Sequence, residues 1–168
     1  IYPPSNRENT MTTHRERIQA CFRGETTDRT PIALWRHFPV DDQDPETLAA
    51  STLHFQNTYD FDIVKVTPAS SFAVKDWGVE DQWMGDAEGS RRYTKRIIQE
   101  PVDWEKLPAL EPTSPHLAGQ LACLRLIRQN LSPETPLIQS VFSPLAQAKN
   151  LVGNDLLIEH IRKYPDAV

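Results

Sequence analysis

Two adjacent residues, Arg36 and His37, stand where the apolar run Pro31-Ile32-Ala33-Leu34-Trp35 abruptly ends. A guanidinium keeps its charge and forks onto a carboxylate through two N–H groups, so an arginine at a strand end suits an acidic substrate. An imidazole can pass a proton near neutral pH or ligate a metal, which makes His37 the candidate catalytic residue. Each has a plainer alternative: Arg36 paired with Asp41 or Asp42, and His37 simply hydrogen-bonded. Thr67 and the Ser70-Ser71 pair follow a second run, Asp62-Ile63-Val64-Lys65-Val66-Thr67. Their hydroxyls can donate to a substrate or turn back onto the local backbone. Ser140, Phe142 and Ser143 close a third run that begins at Pro136, with Phe142 offering either an apolar wall for a flat ring or ordinary packing.

The elements that must position these groups are punctuated by proline, which presets φ and keeps the preceding residue out of a helix. Thr13 and Glu16 have capping-box spacing, Ile18, Cys21 and Phe22 share a face, and Gly24 offers a stop, so residues 13–23 read as a helix. Asp44-Pro45 opens a helix over 45–59, and Leu117, Leu121, Leu124 and Ile127 mark another over 115–131. Ser143-Pro144 opens a further helix, Asn154 caps the next, and Tyr164-Pro165 begins one more. Residues 31–35, 62–67 and 136–142 read as strands, the first buried on both faces, and their alternation with helices predicts parallel right-handed crossovers.

Between Pro68 and Pro115 the pattern loosens. Arg91 to Gln99 is β-like and follows Glu88-Gly89-Ser90, which predicts a hairpin arm outside the sheet. Trp77, Trp83 and Trp104 are expected to anchor this insert, the basic run Arg91 to Arg96 to be its solvated face, and His54, His116 and His160 to face solvent. The expected plan is an α/β chain: an extended or disordered segment over 1–12, then over 13–168 the first three β/α units of a TIM barrel with a hairpin-containing insert at about 68–115. A complete eight-stranded barrel takes about 250 residues.

Composition excludes several classes. Lys and Arg number 18 against 23 Asp and Glu, a net charge of −5, so nothing draws the whole chain to nucleic acid or an anionic membrane. No apolar run is long enough to span a bilayer, and the polar start lacks a signal peptide's apolar core, so the expected address is cytoplasmic. The six glycines form no dinucleotide or phosphate-binding loop. Cys21 and Cys123 lie far apart in apolar helical patterns and read as buried reduced thiols, with no disulfide framework and no metal site.

Five segments in order, RERIQACFRGETTDRTPIALWR (15–36), FDIVKVTP (61–68), EPVDWEKLPAL (100–110), TPLIQSVFSPLAQAKNLVG (135–153) and KYPDAV (163–168), resemble the uroporphyrinogen decarboxylase family. The resemblance implies the front part of a (β/α)8 barrel and a cytoplasmic homodimer. It also implies a carboxy-lyase of porphyrin biosynthesis that decarboxylates a poly-acidic tetrapyrrole or related acid. Alternatives are a corrinoid- and zinc-dependent methyltransferase of the same family, or a non-catalytic relative or truncated fragment. The partner is then an acidic tetrapyrrole or corrinoid-type molecule, and zinc enters only with methyl transfer, this segment itself calling for no cofactor. Arg36 matches the first of two family arginines that bind acidic side chains, and Val40 occupies the place of the second. Val66-Thr67-Pro68 stands where the decarboxylase has an aspartate, and Asn150 where it has a tyrosine. The resulting candidate set is His37 for catalysis, with Arg36, Thr67, Ser70, Phe142, Ser143 and Asn150 for substrate.

Overall fold

The computed structural model describes residues 12–168, and the segment expected to be extended or disordered lies outside them up to residue 11. Helix α1 (His14–Phe22) opens on the capping box: the Thr13 hydroxyl accepts from Glu16 N–H and the Glu16 carboxylate accepts from Thr13 N–H at 2.9 Å. Helix α2 (Pro45–Tyr59) opens where Asp44 accepts from the amides of Glu46 and Thr47, both at 3.0 Å. Helix α3 (Pro115–Asn130) is capped from a distance, by Asp76, which accepts from His116 and Leu117 N–H at 3.0 Å each. Ser143 caps α4 (Pro144–Val152). In α5 (Asn154–Lys163) Asn154 is the first helical residue, and Gly153, at φ 97°, takes the cap position expected of it.

Strands β1 (Val64–Val66) and β4 (Leu137–Gln139) run parallel in the register Val64 with Leu137 and Val66 with Gln139. Val64 and Val66 pack against Leu48 and Ala49 of α2 and Cys123 and Ile127 of α3. Period-two alternation turns Lys65 to the other face, where Ile138 is 49% exposed. A second apolar cluster joins Val74, Val79 and Ile98 to Leu151, Val152 and Leu157 of α4 and α5. Strands β2 (Glu80–Trp83) and β3 (Arg91–Lys95) form an antiparallel hairpin. Among the described residues no helix is long and apolar enough to cross a membrane.

Four expectations change. Residues 31–35 do not join the sheet: Asp62 N–H donates to the Ile32 carbonyl at 2.8 Å, but the Ile32 amide goes to the Asp62 carboxylate at 2.7 Å. A side chain takes the amide a ladder would use, and Ile32, Leu34 and Trp35 stay half exposed. Cys21 is exposed, because α1 turns Arg17 inward onto Asp28 and Asp62, leaving Phe22 outside as well. His160 is buried and accepts the Trp104 indole N–H at 3.0 Å. The basic run is not a uniformly solvated face: the Arg91 side chain is buried against Asp81, and Arg96 donates to the carbonyls of Lys149 and Asn150.

Candidate functional site

In barrels of this kind the reacting groups come from the carboxyl ends of the strands. On that side of β1 three segments meet: residues 36–42, the turn 67–71, and the β2–β3 hairpin. Arg36 and His37 diverge. The Arg36 guanidinium lies 5.4 Å from the Phe38 ring centroid, donates only to the His37 carbonyl at 3.3 Å, and borders a groove of about 410 Å³ with His54, Phe55 and Tyr59. It forms no ion pair among the described residues. The alternative partners are engaged elsewhere: Asp41 accepts from Ser51, and Asp42 faces Arg91.

His37 turns the other way, under the hairpin turn. Gly89, buried at φ 74°, sits so close that a Cβ built on it would lie 2.9 Å from the His37 Cβ and 3.2 Å from its Nδ1. Asp42 and Asp86 lie near the His37 ring. The other candidates form a separate group. Asn150 is buried and donates to the Ser70 carbonyl at 3.3 Å, which ties α4 to the turn after β1. Thr67 is buried with no partner for its hydroxyl among the described residues, Phe142 is half-buried, and Ser143 is occupied in accepting from Ala146 N–H at 3.3 Å.

Between these groups runs a charge cluster that sequence reading missed. Arg91 donates to Asp81 at 2.7 Å and reaches Asp42 at 3.4 Å, while Lys75 approaches Asp81 at 3.4 Å. Burial pushes the Asp42 carboxyl above its ordinary value. Burial acts on Asp81 too, but Ser71, Arg91 and Lys75 outweigh it and its carboxyl is lowered. One Asp42 oxygen is buried there without a hydrogen-bond partner among the described residues, and the Ser71 hydroxyl lies beside Asp81. Asp81 and Arg91 are separated by a turn, so no linear spacing announces them. Lys65 was missed as well, although its place inside the β-branched run Ile63 to Val66 is the signal that could have found it: a lysine there leaves the helix-packed face, and its ammonium lies 3.8 Å from the Trp35 ring centroid.

The described residues do not fit a zinc ion. None of them form a group of three His, Cys, Asp or Glu able to hold a metal, and burial raises the Cys123 thiol to about 11, away from the thiolate a metal binds.

A family profile described as uroporphyrinogen decarboxylase (URO-D) matches residues 13–168. This chain belongs to the uroporphyrinogen decarboxylase family. Among solved structures, a methyltransferase from Methanosarcina mazei superposes with a TM-score of 0.76 at 19% sequence identity, over 92% of this chain and 50% of that one. At that identity the likeness speaks for the fold, and it makes this uroporphyrinogen decarboxylase family member part of a TIM barrel. The chain spans half the length of that methyltransferase. No curated protein matches it.

Proposed function

We propose that this chain carries part of the active site of an enzyme that decarboxylates a poly-acidic ring compound, a tetrapyrrole or a related acid. The observation that supports it is the pair of cations on the Trp35-Arg36 segment: Lys65 over Trp35 and Arg36 over Phe38, both resting on aromatic rings and neither paired with an acid among the described residues. Cations held on rings remain available to carboxylates, and the rings offer flat apolar surface to a flat substrate. Decarboxylation breaks the carbon–carboxylate bond, releases carbon dioxide and leaves an electron pair on carbon, which a proton must quench. His37 is the donor in this reading. Thr67, Ser70 and Asn150 line the turn after β1, and Phe142 and Ser143 follow β4, as further substrate contacts.

Methyl transfer is the second reading. It is favoured by the likeness in fold to the Methanosarcina mazei methyltransferase and by Thr67 standing where a decarboxylase has a carboxylate. One experiment divides the two: the protein at its natural length is given uroporphyrinogen in one tube and a methylated corrinoid with a thiol in the other. Carbon dioxide in the first supports decarboxylation, a thioether in the second supports methyl transfer, and neither removes both. With decarboxylation in hand, Arg36→Ala is expected to raise KM about tenfold, and an unchanged KM removes Arg36 as the carboxylate anchor.

A further inference from the structure

The β2–β3 hairpin leaves the chain just after β1 and folds back onto residues 37–42, the loop that carries the proposed proton donor. Two contacts at its turn end hold it there. At the turn end of its ladder, where Arg91 pairs with Trp83, Arg91 is bound to Asp81 within the hairpin and reaches the Pro39 carbonyl at 3.3 Å and Asp42 at 3.4 Å in the loop. At its tip, Gly89 lies against the His37 side chain, with φ 74° and no room for a Cβ. A glycine meets both demands at once, a left-handed backbone and contact with a ring.

We propose that the hairpin is a wall of the active site and that Gly89 is a positioning residue that sets the orientation of the His37 imidazole. This rests on the reading of His37 as proton donor. The charged groups facing His37 come from both sides of the contact: Asp42 from the loop, Asp86 from the hairpin turn, and Arg91 beyond Asp42. A shifted hairpin therefore moves the ring and its carboxylate surroundings together, and a general acid displaced from its line of transfer loses rate before it loses binding.

Gly85 supplies the control. It lies in the same turn at φ 91°, but a Cβ there meets nothing within 4 Å. Gly85→Ala and Gly89→Ala impose comparable backbone strain, and they differ in the contact with His37. In the protein at natural length, Gly89→Ala is expected to lower kcat about tenfold or more with KM within about twofold, and to move the pH profile of kcat; Gly85→Ala changes kcat less than about threefold. Thermal unfolding of the single and double variants with His37→Gly reads the contact without any substrate. Gly89→Ala and His37→Gly should be strongly non-additive, since removing the whole His37 side chain, Cβ included, makes room for the new methyl, while Gly85→Ala and His37→Gly should add. Additivity at both glycines overturns the contact. Non-additivity at Gly89 with an unmoved kcat and pH profile leaves the contact standing but overturns its role in positioning a donor. Loss of all activity in the parent protein is a failure of the functional reading alone.

Discussion

Two buried carboxylate clusters lie at opposite ends of β1, and they are built in opposite ways. Below the strand, Asp62 is fully buried and fully satisfied: it accepts from Arg17 at 2.5 Å, Arg29 at 2.5 Å, the His14 ring at 2.9 Å and Ile32 N–H at 2.7 Å. Burial acts to raise this carboxyl, yet Arg29, His14, the Ile32 amide and Arg17 together hold it well below the usual carboxylate range. Arg17 is itself fixed by Asp28, whose carboxyl it lowers to about 2. Above the strand, Asp42 and Asp81 share Arg91, Lys75 approaches Asp81 alone, and Asp42 keeps one buried oxygen without a partner among the described residues. One end ties α1 and residues 28–32 to the sheet. The other leaves a polar atom uncommitted at the face where barrels do chemistry, and unsatisfied buried groups there are a mark of function more than of stability.

Substitutions can break or sharpen this contrast. The largest effect is expected from Asp62→Asn, which leaves Arg17 and Arg29 facing a neutral side chain and should cost about 3–5 kcal/mol in urea unfolding. A loss below about 1 kcal/mol would erase the claim that the lower cluster is structural. Arg91→Leu comes next, at about 2–3 kcal/mol, because Asp81 stays buried with only Lys75 nearby. Its hairpin amides should lose hydrogen-exchange protection while those of α1 keep theirs. Asp42→Asn is the smallest, within about 1 kcal/mol at neutral pH and in the stabilising direction, since it removes a carboxylate whose ionisation burial opposes.

The two ends also differ in sign with pH. The lowered Asp62 carboxyl contributes stability above its unfolded value of about 3.9 and loses it as pH falls further. The raised Asp42 carboxyl does the reverse: its ionised form costs stability at neutral pH, and the cost is relieved as pH falls through its folded value. Urea midpoints measured between about pH 7 and pH 3 should therefore drop less steeply for Asp62→Asn than for the parent, and more steeply for Asp42→Asn.

Much of the local structure was legible because its signals are local. The Thr13–Glu16 box, Asp44-Pro45 and Ser143-Pro144 mark helix starts through side chains that reach amides two or three residues on, and the helices begin there. The strand expected over 31–35 failed because strand formation needs a partner, and the carboxylate that takes the Ile32 amide is thirty positions away. The first arm of the hairpin was invisible for a related reason: Glu80-Asp81-Gln82 has no β signal of its own and is extended by pairing with β3. At the site, Arg36, His37 and the turn after β1 could be named from their place behind strand-like runs, whereas Asp81, Arg91 and Gly89 could not.

The amino-acid sequence by itself thus determined the family resemblance, the helix starts and the alternation that puts Lys65 opposite the helix-packed face, since each depends on residues near one another in the chain. Tertiary structure alone decided that Arg36 and His37 part company, that Asp62 is satisfied while Asp42 is not, and that Gly89 rests on a histidine fifty-two positions before it. Burial and pairing of charge depend on which distant segments meet, and spacing along the chain does not encode that.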